Sequence, residues 1–71
     1  MNLLELIAAG APEGAAHWEV CVDLPSGDQD SLAEGDVKDG VATARGAIPT
    51  LPPAFKVDYF TEDDKGWWQP A

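Results

Sequence analysis

The chain has one cysteine, one histidine and only four basic residues in 71. A single thiol, Cys21, cannot close an internal disulfide, which excludes the small secreted scaffolds built on cystine frameworks. One cysteine and one histidine cannot supply the four ligands of a zinc finger or ribbon either. Four Lys/Arg stand against thirteen Asp/Glu, a formal charge of −9. Nucleic acids and anionic membranes are polyanions that need basic partners, so direct binding to either is disfavoured. Long apolar runs are missing too. No basic stretch opens the chain, and the run from Leu3 to Ala9 is broken by Glu5, so it reads as neither a signal peptide nor a membrane span. The expected class is a soluble protein of the cytoplasm.

Seventy-one residues make one small domain, spanning 1–71, and leave no room for a second core. Leu, Ile, Val and Phe number fifteen, close to the roughly 20% level below which a highly charged chain stays disordered. Six large aromatics (Trp18, Phe55, Tyr59, Phe60, Trp67, Trp68) argue for a packed core all the same.

Asn2 is placed to N-cap a short helix, with Glu5 at the capping-box position and Gly10 as a stop just past Ala9. Leu3, Leu4, Leu6 and Ile7 form its apolar stripe, which must dock on something because two isolated turns do not hold in water. From His17 to Leu24 the chain alternates: Trp18, Val20, Val22 and Leu24 on one side, His17, Glu19, Cys21 and Asp23 on the other. That is a strand with one buried and one wet face. Residues 23–39 hold six acids and one base with little to bury beyond Leu32 and Val37. The expectation there is a mobile, solvated loop at about 25–37, with Asp39-Gly40 as a candidate hairpin turn. The segment from Gly46 to Pro53 is extended and proline-stiffened. Phe55 to Phe60 alternates again, a turn falls at Thr61 to Gly66, and Gly66-Trp67-Trp68-Gln69 pairs back as a last strand. The expected fold is α+β, a short N-terminal helix packed on a small twisted antiparallel sheet. Its core would hold Leu3 or Leu4, Ile7, Trp18, Val20, Val22, Phe55, Val57, Tyr59 and one of Trp67/Trp68.

Few constellations carry chemistry. His17 and Cys21 are four apart, but a strand separates that spacing by about 13 Å, too far to share an ion. Asp28, Asp30 and Glu34 imitate a calcium loop, yet Leu32 and Ala33 occupy the third-ligand and glycine positions. Ser26 and Ser31 have no base nearby in sequence, and Asp63-Asp64 lacks the apolar surroundings that raise one carboxyl for acid–base work. The reading is a non-enzyme with no metal and no cofactor. Pro49-Thr50-Leu51-Pro52 satisfies PxxP, the pattern SH3-type grooves read, but the motif is frequent by chance and a stiff connector between strands is the favoured reading. Trp67 and Trp68 face opposite ways on a strand. One enters the core, and the other seals the far side of the domain or anchors a partner.

The stretch Ala11-Pro12-Glu13-Gly14-Ala15-Ala16-His17-Trp18, following an LLELI-type helix, resembles the opening of small tailed-bacteriophage proteins. These carry a P-x-G-A-x-H-aromatic turn leading into a strand and finish on a tryptophan-rich strand, as Gly66-Trp67-Trp68 does. The likeness covers residues 1–22 and 64–69; the acidic segment 23–39 and the proline segment 49–53 depart from it. It implies a phage or prophage origin and expression in the bacterial host cytoplasm. Small acidic phage proteins commonly inhibit a host or host-defence protein, and a polyanion suits a nucleic-acid-handling enzyme with a basic groove. The expected partner is therefore a host protein with a basic surface, met by Asp23, Asp28, Asp30, Glu34, Asp36 and Asp39 with Trp67 or Trp68 as apolar anchor. A virion assembly accessory and a PxxP or Trp-ligand adaptor are the alternatives. Acidity as a plain aid to solubility is a further reading, and an uncovered edge strand leaves homodimerisation open.

Overall fold

The computed structural model describes residues 2–71 as one helix and five strands. Helix α1 spans Leu3–Gly10 and is capped as its sequence implies, with the Asn2 side chain accepting from the Glu5 amide at 2.8 Å. Gly10 is its last residue rather than the stop beyond it. The glycine is needed for close approach: a Cβ there would meet the Tyr59 hydroxyl at 2.9 Å, and that hydroxyl donates to the Ile7 carbonyl at 2.7 Å. Helix and sheet are tied at this point.

The strands are β1 (His17–Asp23), β2 (Gln29–Lys38), β3 (Val41–Ala44), β4 (Lys56–Glu62) and β5 (Trp68–Pro70). They form one antiparallel sheet in the order β3-β2-β1-β4-β5. The fold is thus α+β, a short N-terminal helix on an antiparallel sheet. The β2–β3 hairpin turns at Asp39-Gly40, both at positive φ (52° and 78°), as a tight primed turn requires. The β4–β5 turn is held by Asp63, whose carboxylate accepts from the Lys65 and Trp67 amides.

The acidic segment is the main departure from expectation. Residues 29–38 are not a loop but a ten-residue strand, second in the sheet between β1 and β3. Its own residues bury little, yet it lies directly beside β1, whose Trp18 and Val20 are fully buried. β1 pairs with residues 29–36 and β3 with residues 35–38, and alternation sends Glu34 and Asp36 to the face away from the helix. The register shifts between Val20 and Cys21, leaving Leu32 without an opposite residue. Gly35 fits because the Trp18 indole lies against it and donates to the Thr43 carbonyl at 3.1 Å. Only a residue without Cβ leaves that space.

Ile7, Trp18, Val20 and Ala42 form the buried core, packed by Leu3, Leu4, Ala33, Val37, Val57 and Tyr59. Ile48 and Leu51 join it, so the proline segment is a strap across the helix side of the sheet. Phe55, Val22 and the expected tandem tryptophan fall outside this cluster. Phe55 precedes β4 and is 37% exposed, and Val22 is half-buried where the helix no longer covers the strand. Leu24 lies beyond the end of β1 and is exposed.

Candidate functional site on the open face of the sheet

The helix and the strap cover one face of the sheet, and the other carries the polar residues of β1, β2 and β4. Antiparallel partners point to the same side. His17 therefore shares this face with Asp36 and Phe60, and Glu19 shares it with Glu34 and Asp58.

His17 belongs to this face but is not wet. It is 6% exposed, its Nδ1 2.8 Å from Asp36 Oδ1 and its Nε2 3.0 Å from Glu62 Oε1. A neutral imidazole donates through one nitrogen only, whereas the imidazolium satisfies both carboxylates. Trp68 of β5 covers the ring from above, parallel to it within 7° and 4.0 Å away. Arg45, just past β3, bonds both oxygens of Asp36 and lies 5.3 Å from the centre of the Trp68 ring. Arg45 beside it holds the Asp36 carboxyl below its ordinary value, and the His17 bond adds to the effect. The chain of contacts Arg45–Asp36–His17–Glu62 joins the end of β3 to β4, roofed by Trp68.

Further along β1, Glu34, Glu19 and Asp58 stand abreast on three adjacent strands. Like charges directly opposite one another on a sheet are destabilising. Cys21 donates to Glu19 at 3.1 Å, and burial together with that bond pushes its thiol up to about 12. Donor atoms of Glu19, Cys21 and Asp58 lie within 4.8 Å of one another. With the thiol holding its proton, the contact is a thiol–carboxylate hydrogen bond.

The structure does not gather the six acids singled out from sequence. Asp23, Asp28 and Asp30 sit at the β1–β2 turn end, where Gln29 donates to Asp23 and Ser26 to Asp28. Asp39 is in the turn at the opposite end of β2, about 30 Å away along a ten-residue strand. Only Glu34 and Asp36 lie between, on the open face. They meet Glu19, Asp58 and Glu62, which sequence reasoning passed over. The signal for these was the alternation of β1 and β4; what was lacking was recognition that 29–38 is their neighbour. Of the tandem tryptophans, Trp67 is 68% exposed and Trp68 is the half-buried roof of His17. Trp68 seals the face opposite the core rather than entering it.

Among the described residues no helix is long and apolar enough to cross a membrane. Compared with known proteins, the chain matches no protein-family profile, no curated protein and no solved structure.

Proposed function

We propose that this is a non-enzymatic binding protein that docks a partner's basic surface on the open face of its sheet. The observation that carries the reading is the row Glu34–Glu19–Asp58, three carboxylates abreast at the middle of a sheet face that no helix covers. Such a row weakens the sheet by like-charge repulsion, and a cationic partner would relieve it. Trp67, exposed at the β4–β5 turn, offers an apolar anchor at the margin of the sheet, at the end of β4 away from Asp58. The phage-type opening of the chain and its −9 charge support an inhibitor or modulator of a host or host-defence protein that handles nucleic acid. The adaptor reading is weaker, since Leu51 of the PxxP segment packs on the core.

The test is a triple neutralisation, Glu19→Gln with Glu34→Gln and Asp58→Asn, against the control pair Asp28→Asn and Asp30→Asn at the turn. Proteins retained from bacterial lysate by the wild-type chain and identified by mass spectrometry should be lost by the triple variant and kept by the control. Association with the purified partner should slow about tenfold or more at low salt. The triple variant should also melt higher than wild type, because a repulsion has been removed. Equal partner binding by wild type and triple variant would overturn the reading.

A further inference from the structure

The two edges of the sheet are built differently. At one edge β5 is three residues long and ends in Pro70, both devices that discourage another strand from pairing. At the other edge β3 reads Val41-Ala42-Thr43-Ala44, with no charge and no proline in a chain that is 24% charged. Arg45 N donates to Glu34 O, so Glu34/Arg45 is a hydrogen-bonded pair and, by alternation, so is Asp36/Thr43. Thr43 thus turns its backbone inward, and Ala42 and Ala44 turn theirs outward, free to pair. Val41 is 60% exposed, and beside the edge runs a groove of about 410 Å³ walled by Leu4, Glu5, Ala8 and Ala9 of α1, where Glu5 and Asp39 are balanced by Lys38 and Arg45.

We propose that β3 pairs with β3 of a second copy of this chain, antiparallel about a two-fold axis at Thr43, continuing the sheet to ten strands. The argument for a second copy is charge. Residues 40–54 carry a net +1 while the rest of the chain carries −10, so this edge is where two like molecules repel least. The register supplies attraction as well. With Thr43 opposite the partner's Thr43, Ala42 and Ala44 exchange backbone bonds with the partner's Ala44 and Ala42. Val41 then lies opposite the partner's Arg45, which is diagonal to Asp39, and symmetry repeats that unlike-charge contact. The helices α1 flank the axis on one side of the sheet, their alanines allowing close approach. The Glu34–Glu19–Asp58 row is not used, so the failure of either proposal leaves the other standing.

In this arrangement Thr43 occupies a non-hydrogen-bonded pair, with Cα atoms about 4.5 Å apart, within the range a disulfide spans. Thr43→Cys should therefore form an interchain disulfide under mild oxidation, while wild type, whose only thiol is buried, forms none. Sedimentation equilibrium should show a concentration-dependent monomer–dimer mixture for wild type. Thr43→Lys, which sets two ammonium groups face to face, should raise the dimer's dissociation constant at least about tenfold with circular dichroism unchanged. A wild-type chain that stays monomeric up to about 1 mM would overturn the proposal. A dimer indifferent to Thr43→Lys, or one that Thr43→Cys does not cross-link, would place the interface on another surface and overturn it equally.

Discussion

Strand β1 is covered on both sides, and the two covers obey different physics. On the helix side Trp18 and Val20 are buried by apolar contact with Ile7, Val57 and the strap, and the main polar links are Tyr59 to Ile7 and Trp18 to Thr43. On the other side His17 is nearly as buried, yet its neighbours are two carboxylates, a guanidinium and one indole. The first cover rests on shape and the loss of apolar surface from water. The second rests on charge placement, and its weight therefore changes with pH, salt and partners. A small domain with few aliphatic side chains gains from this division, because one helix and one strap cannot wrap both faces.

The largest expected effect belongs to the shape-governed side. In Gly35→Ala the new methyl would meet the Thr43 carbonyl and, at 2.7 Å, the Trp18 ring, neither of which has room to withdraw. Overpacking of this kind should cost about 3 kcal/mol or more, enough to unfold a chain of this length in large part. Thermal melts followed by circular dichroism would show it. Val20→Asp should do the same by burying an unpaired charge beside Trp18. A cooperative wild-type-like melt for either variant would mean that the core does not close around β1 as described.

On the charge-governed side the expected loss is smaller and shared between residues. His17→Ala leaves Asp36 and Glu62 without their common hydrogen-bond partner and removes the ring under Trp68, a cost of about 2 kcal/mol. Trp68→Ala should cost a comparable amount. The double variant should cost less than the two together by about 1 kcal/mol, because the stacked pair is lost only once. Strict additivity in this cycle would show that the ring stacking contributes nothing.

The helix-covered face was largely legible in the sequence, and the charge-built face was not. The alternation of residues 17–23, the Asn2 cap and the Asp39-Gly40 turn each state a local preference that tertiary structure only confirms. Strand β2 carries no such statement. Its ten residues include three acids and one glycine, a composition that by itself favours solvent. What makes it a strand is unpaired backbone on β1 to one side and on β3 to the other, together with the Trp18 indole, which needs a glycine beneath it. These are nonlocal causes. Misreading β2 also hid the site, since Glu34 and Asp36 acquire neighbours only once the register is known.

Acid and alkali should also probe the two faces differently. Asp36 is held below its ordinary carboxylate value by Arg45 and His17. Its contribution is therefore complete above that ordinary value and is lost as pH falls through the lower folded one. Melting temperature should drop as pH falls below about 4, with a shallower slope in Asp36→Asn. Tyr59 is raised by burial, which favours its neutral form in the folded chain. Its contribution is complete below the ordinary tyrosine value and is lost as pH climbs past about 10, an alkaline slope that Tyr59→Phe should flatten. Acid sensitivity belongs to the open face, whereas the alkaline limb is shared by Tyr59 on the covered face and Cys21 on the open one, whose thiol is raised to about 12. If Asp36→Asn left the acid limb unchanged, the Arg45–Asp36–His17 contacts would not form in solution.

The smallest expected effect on stability separates the two tryptophans. Trp67 is 68% exposed at the β4–β5 turn, and its backbone, not its ring, is what the turn uses: its amide donates to Asp63 and its carbonyl accepts from the Asp63 amide. Removing the indole should therefore leave the turn's hydrogen bonds and the fold intact. Trp67→Ala should shift stability by no more than about 0.5 kcal/mol, against the larger loss for Trp68→Ala one residue later. The same substitution should speed dissociation of a basic partner about tenfold or more, since a buried aromatic anchor acts mainly on the off-rate. Urea titration reads the first effect and surface plasmon resonance the second. A Trp67→Ala chain that is wild-type in both would leave binding to the carboxylates alone, and the affinity would then fall steeply with added salt.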